Sequence, residues 1–293
     1  MSECIGEIYR ITKKLGKGAF GEIYASENTQ SHEQVASKFA STPEQGVQLL
    51  RESKIYRYFA NAFGFPAVHW YVKHKESSVI VMDLYSSSLE QLLSKRVDPF
   101  SLKTVLMVAD QALQRIEYVH KKGFIHRDIK PANFVLGRGT SSNTLHLIDF
   151  GLAKAYRDPK TYQHIEYGEN QCLVGTARYI SINMHLGIVA SRRDDLESLA
   201  YMLIYCLKGK LPWQGLPSGK AEEKYSAIAK VKMQTATEVL CADLPEEFGL
   251  FLNQVRSLRF ADTPDYAFYR RMFRRLMLTQ GFAYDFDYDW LND

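Results

Sequence analysis

Short runs of apolar residues between polar ones mark the first third of the chain, and apolar residues at helical spacing mark the rest. Residues 8–84 favour strands. The first are Glu7-Ile8-Tyr9-Arg10-Ile11, Glu22-Ile23-Tyr24-Ala25 and Val35-Ala36-Ser37-Lys38-Phe39. Pro43 then opens a predicted helix to about Phe59, with Val47, Leu50, Ile55 and Tyr58 on one side. Val68-His69-Trp70-Tyr71-Val72 and Val79-Ile80-Val81-Met82 complete a predicted five-stranded sheet, and the pattern changes at Ser86-Ser87-Ser88. Ser101 is the expected N-cap of a long helix carrying Val105, Leu106, Ala109, Leu113, Ile116 and Val119, which Gly123 ends. A second apolar helix is expected from about Asp194-Asp195, with Leu199, Met202, Leu203 and Leu207, and others around residues 220–233, 246–258 and 265–279. This is an α+β pattern: a small five-stranded antiparallel β lobe with one main helix, residues 1–85, then a larger, mainly helical lobe, residues 86–293.

Composition narrows this little. With 46% hydrophobic and 24% charged residues, the chain is not mostly disordered. A net charge of +4 is too weak to argue for nucleic acid, and none is expected as a partner. Cys4, Cys172, Cys206 and Cys241 are too scattered to suggest a zinc site or a disulfide framework. The first residues lack the basic and apolar regions of a signal peptide, and the longest apolar run, near residues 199–207, is too short to span a bilayer. A soluble protein of the cytoplasm, with the nucleus also open to it, is the expectation.

The chemistry concentrates in Ile125-His126-Arg127-Asp128-Ile129-Lys130-Pro131-Ala132-Asn133 and Asp149-Phe150-Gly151. Between them Phe134-Val135-Leu136 and Leu145-His146-Leu147-Ile148 read as two strands of a hairpin, with the two acidic clusters facing one another across it. An Asp in a turn usually bonds its own backbone, so neither triplet is informative alone. In this order, with the Lys and Asn at these offsets, they supply what phosphoryl transfer needs. Asp128 accepts the hydroxyl's hydrogen bond, Lys130 reaches the transferring group, and Asn133 and Asp149 are hard oxygen ligands suited to Mg²⁺.

Leu15-Gly16-Lys17-Gly18-Ala19-Phe20-Gly21 joins a strand to a strand, where a dinucleotide fold would join a strand to a helix. Its glycines allow a backbone to approach phosphate oxygens. Lys38 follows on the third strand, placed to reach α and β phosphates of ATP, with Glu52 as its partner and Lys54 on the surface. Ile23, Ala36 and Val135 are candidate walls of an adenine slot, and Met82-Asp83-Leu84-Tyr85 is the segment joining the lobes. The chemistry is expected between those lobes.

These motifs resemble the eukaryotic protein kinases and their bilobal fold; Lys130, two residues after Asp128, resembles the serine/threonine branch, and Met82 stands at the gatekeeper position. Gly175-Thr176-Ala177-Arg178-Tyr179-Ile180-Ser181-Ile182-Asn183 is similar to the casein kinase 1 family, with Ser181-Ile182-Asn183 where most kinases carry Ala-Pro-Glu. So are Glu52-Ser53-Lys54-Ile55-Tyr56, Ser191-Arg192-Arg193-Asp194-Asp195 and Leu211-Pro212-Trp213-Gln214-Gly215. The resemblance implies a monomeric, second-messenger-independent serine/threonine kinase using ATP and Mg²⁺ on acidic or pre-phosphorylated protein substrates. It implies an anion site at Arg178 and Lys224 near Gly215, and a second at Arg127 and Lys154, where Gln171 replaces a usual lysine. Asp195 is expected to cap its helix and brace the His126-Arg127 backbone. Ser37, Asp83, Tyr85 and Ala132 depart from the family pattern without touching the catalytic set. The family commonly carries a regulatory tail beyond the kinase domain; after Asp293 it is either naturally absent or cut away, and if it is absent, its autoinhibition is too and constitutive activity is expected. The rival readings are a scaffold on the same fold, which tends to lose the lysine or a metal ligand, and a small-molecule kinase. In Tyr269-Arg270-Arg271-Met272-Phe273-Arg274-Arg275, the arginines read as a solvated helix face and Met272, Phe273 and Leu276 as the packed one.

Overall fold

Residues 4–18, 21–60, 62–216 and 221–291 are described by the structure, a computed structural model. Ala19 and Phe20 of the glycine-rich tip, and Lys220 at an expected helix start, lie outside the described residues. Contacts divide the chain into two units, Met1–Ser87 with Val135–Gly151, and Ser88–Phe134 with Leu152–Asp293.

In the first unit, β1 (Cys4–Ile5), β2 (Tyr9–Gly18), β3 (Gly21–Asn28), β4 (Gln34–Ala40), β5 (Val68–His74) and β6 (Ser77–Asp83) form one antiparallel sheet in the order β1-β2-β3-β4-β6-β5. The five expected strands are all present, and β1 adds a two-residue sixth at the edge. Residues paired directly across antiparallel strands share a face of the sheet. The pairs Ile23↔Lys38, Lys38↔Ile80 and Ala36↔Met82 therefore put Ile23, Ala36, Lys38 and Met82 together on one face. The other face carries the apolar cluster Ile5, Val35, Val79 and Val81, with Phe39, Trp70 and Val72 packed against it. On that second face Ser37 stands where an apolar residue is usual. Its hydroxyl donates to Ser26 Oγ at 2.9 Å, so two buried hydroxyls satisfy each other.

The helix α1 (Pro43–Tyr58) starts as proline at its first position requires, with a capping box between Thr42 and Gln45. Its packed stripe is not the expected one. Val47, Leu50 and Tyr58 are exposed, whereas Leu49, Glu52, Ser53 and Tyr56 are buried beside Ile55. Two of those four are polar and satisfied in place, Glu52 by Lys38 and the Ser53 hydroxyl by Leu50 O, so apolar periodicity traced the wrong face. The strands Phe134–Leu136 and Leu145–Leu147 pair as expected. Ser86 N–H donates to Leu136 O and Leu136 N–H to Ser87 O, which lays Val135 beside the chain that follows Met82-Asp83-Leu84-Tyr85.

The second unit is helical: α2 (Leu89–Ser94), α3 (Leu102–Lys121), α4 (Ile182–His185), α5 (Arg192–Lys208), α6 (Ala221–Gln234), α7 (Thr237–Leu240), α8 (Glu246–Ser257) and α9 (Tyr266–Thr279). Ser101 caps α3, and Gly123, at φ +90°, follows its end. The carboxylate bonded to the N-cap of α5 belongs to Asp194, which accepts the Ser191 N–H at 2.7 Å; Asp195 points elsewhere. The arginines of α9 are also divided. Arg271, Arg274 and Arg275 are all exposed, but Arg270 and the exposed Arg274 both bond the buried Asp110 of α3, so that face is partly an ion-pair seam. No helix among the described residues is long and apolar enough to cross a membrane.

Candidate active site

In the first unit Lys38 anchors the chemistry. Its Nζ lies 2.8 Å from Glu52 Oε2 and 2.9 Å from Asp149 Oδ1, and both Lys38 and Glu52 are buried. Burial works against the ammonium charge, but Asp149 and Glu52 outweigh it and hold the lysine's pKa above its ordinary value. Asp149 sits at φ +66°, a left-handed conformation that a non-glycine residue keeps only when its surroundings fix it. Tyr56 provides one fixing contact: its Oη accepts the Asp149 N–H at 3.0 Å. Phe150 is buried against the rings of Tyr56 and Phe59, and Gly151 O accepts from Gln48 at 2.7 Å. The Asp149-Phe150-Gly151 turn is thus fastened to α1 at every residue.

The glycine-rich strand pair has two kinds of glycine. At Gly21, φ is +125° and a Cβ would lie 1.8 Å from Phe39 O, so the fold itself demands glycine. At Gly16 and Gly18 an added Cβ would meet nothing within 4 Å. Among the described residues no atom crowds those two, and a ligand approaching the backbone would account for them. Leu15 and Lys17 are exposed, and Lys17 lies 3.7 Å from Glu22. Met82 is buried, and Leu84 is half-buried. The Asp83 carboxylate is engaged by the Ala67 N–H and by His69, both at 2.9 Å; against the cost of burial these bonds keep its pKa below the usual range. Tyr85 packs on His146 with ring centres 4.4 Å apart.

In the second unit the residues from His126 to Asn133 are held from α5. Asp195 accepts the His126 N–H at 2.7 Å and the Arg127 N–H at 2.8 Å, and its Oδ2 lies 2.8 Å from His120 Nε2. Arg127 takes φ +67° there. Asp128 emerges from this turn with both carboxylate oxygens bonded. Oδ2 accepts from Lys130 Nζ at 2.6 Å and Asn133 Nδ2 at 3.2 Å; Oδ1 accepts the Thr176 N–H at 3.0 Å and its hydroxyl at 2.8 Å. Lys130 Nζ also reaches Thr176 Oγ1 at 3.1 Å. Thr176 is a functional residue that the sequence reading missed, although it stands beside Gly175 in the quoted segment. Gly175 must be glycine, with φ +91° and Arg127 O 2.5 Å from where a Cβ would be. Asn133 spends its amide hydrogens on Asp128, which leaves its carbonyl oxygen as the atom to offer a dication.

A cavity of about 790 Å³ opens beside Lys130 and Thr176, and its lining includes Arg178, Gly215 and Lys224. The Arg178 guanidinium lies 5.0 Å from the centre of the Tyr205 ring and 3.7 Å from Glu90. Lys224 is exposed. Arg127 and Lys154 line a separate pocket with Gln171 and Cys172, of only about 40 Å³. There Arg127 Nε is already bonded to Leu152 O at 2.6 Å.

The first unit thus holds a buried lysine–carboxylate pair with Asp149 beside it, and the second a carboxylate with a lysine bonded to it. The sequence matches the protein kinase domain family over residues 9–259, and the chain belongs to that family.

Proposed function

We propose that this kinase transfers the γ-phosphate of ATP to serine or threonine of acidic or pre-phosphorylated proteins, in the manner of the casein kinase 1 family. The observation that carries this reading is one cavity whose lining includes Lys130 and Thr176 together with Arg178 and Lys224. A substrate hydroxyl directed to Asp128 and an anion elsewhere on the same substrate would share it. Asp128 orients the hydroxyl, and Lys130 steadies the phosphoryl group. Lys38, set by Glu52, positions the nucleotide phosphates. Kinase domains in general use ATP with Mg²⁺, which neutralises phosphate charge. Asn133 and Asp149 are oxygen donors of the kind that ion prefers. A scaffold reading has nothing to support it, since Lys38, Asn133 and Asp149 are all present.

Constitutive activity is part of the reading and rests on how residues 176–194 are held. Thr176 bonds Asp128, the Ser181 hydroxyl donates to Asp194 at 2.6 Å, and the Ile182 N–H donates to Glu197 at 3.2 Å. No added phosphate is needed for these ties. The 40 Å³ pocket at Arg127 and Lys154 is small for a phosphate, so the Arg178–Lys224 cavity is assigned the larger share of anion recognition. The test is turnover of two matched peptides, with and without a phosphoserine three residues before the target serine. Neutralising Arg178 and Lys224 should weaken use of the phosphorylated peptide at least tenfold more than that of the acidic one. Equal losses on both would remove the anion site.

A further inference from the structure

Residues 175–180 carry both Thr176, which bonds Asp128, and Arg178, which lines the large cavity. Three main-chain carbonyls in that stretch are fastened by side chains from elsewhere. Lys232 Nζ donates to Ala177 O at 2.9 Å and to Ile180 O at 2.6 Å, and Trp213 Nε1 donates to Arg178 O at 2.8 Å. Lys232 is fully buried on α6. A lysine is almost never fully buried unless something pairs with it. Its Nζ lies 4.9 Å from the Tyr201 ring centre and 5.1 Å from that of Trp213. The charged groups around it are Glu197 of α5 and Arg256 of α8, with His185 of α4 also close enough to feel it. Among the described residues no carboxylate lies within ion-pair distance of Lys232, and burial lowers its pKa to about 7. An apolar side chain would pack at this position without that cost. Its neighbour Lys230 reaches solvent, so the burial of Lys232 is a property of its site.

We propose that Lys232 is a positioning residue for substrate specificity. By holding the Ala177 and Ile180 carbonyls it fixes the path of residues 175–180, and hence the place from which Arg178 meets a substrate anion. Because Lys224 lies on the same helix, α6 carries one lysine to the cavity wall and another to the loop beside it. The inference rests on the proposed reading of the Arg178–Lys224 cavity.

The experiment compares kcat and KM on the matched phosphorylated and acidic peptides for the wild type, Lys232→Met, Lys232→Arg, Trp213→Phe and Arg178→Gln. Lys232→Met is expected to lower the preference for the phosphorylated peptide about tenfold, mainly through its KM. Lys232→Arg, which keeps the cation and its donors, should restore the preference to within about threefold of wild type. Trp213→Phe keeps a ring but removes the donor to Arg178 O, and should lower the preference about threefold. A Lys232→Met protein that melts as cooperatively as wild type and keeps the preference overturns the proposal. So does an equal loss on both peptides, which a purely structural role would give. If Lys232→Met does not fold, Trp213→Phe decides, and an unchanged preference there is equally contrary. Arg178→Gln separates the two levels: an unchanged preference in that variant means the cavity reading itself has failed, and the inference goes with it.

Discussion

Two turns in this chain solve the same problem differently. Arg127 and Asp149 both sit at positive φ, +67° and +66°, the first beside Asp128 and the second itself assigned to the chemistry. At Arg127 the amide is gripped by a buried carboxylate, Asp195, which also takes the His126 amide and contacts His120. At Asp149 the amide is gripped by a neutral phenol, Tyr56, while the side chain belongs to an ion pair with Lys38. The first turn places its strain on a buried charge with several partners, so it should be rigid and costly to damage. The second spreads it over single hydrogen bonds, aromatic packing and an ion pair, so it should yield in smaller steps.

The largest effect should follow Asp195→Ala. It leaves two buried amides without an acceptor and His120 without its carboxylate, for a loss of about 4 kcal/mol in urea unfolding. A loss under about 1 kcal/mol would mean that the charge is not what holds the turn. Lys38→Met should come next, at about 3 kcal/mol, because it strips the cation from buried Glu52; nucleotide affinity should fall at least tenfold in the same protein. Tyr56→Phe keeps the ring that packs on Phe150 and removes the phenol's bond to the Asp149 amide. About 2 kcal/mol is expected, with a matching loss of nucleotide affinity, and no change in either would dissolve the contrast.

The smallest effect is one of pH. Burial lowers the pKa of His120, and a histidine whose folded pKa lies below its unfolded value takes up its proton in the unfolded chain first. Its contribution is therefore complete above about pH 6.5 and lost as pH falls below that value, by up to about 1.4 kcal/mol per unit. Asp195, whose pKa is held below the ordinary range by His120 and the His126 amide against the cost of burial, adds loss only at more acid pH. The Tyr56 phenol is pushed upward by burial and stays neutral throughout. Urea unfolding at pH 7.5, 6.5 and 5.5 should thus show a slope that His120→Gln reduces and Tyr56→Phe leaves intact.

The same contrast explains what could be read from the chain. Lys38, Glu52 and Asp149 were legible because each belongs to a motif with fixed spacing, and the strands followed from their apolar patterning. The packed face of α1 was not, since a buried Glu52 and Ser53 look solvated to any rule that follows apolar residues. Asp194 and Asp195 are neighbours, and the sequence does not say which carboxylate turns to the cap and which to the loop. Thr176, Tyr56 and Lys232 act through contacts made across long separations, and nothing local marks them. The helices α2, α4 and α7, at six, four and four residues, are too short to establish a period.

The central claim is that Asp128, held by Lys130, Asn133 and Thr176, orients an acceptor hydroxyl for phosphate from ATP. Its most direct test is the transfer of γ-labelled phosphate to a serine peptide by wild type and Asp128→Asn, with nucleotide affinity measured on both. The account predicts that the variant binds nucleotide within about twofold of wild type and turns over at least about 100-fold more slowly. Turnover by Asp128→Asn at the wild-type rate, or a wild-type protein that binds ATP and never labels the peptide, would contradict it.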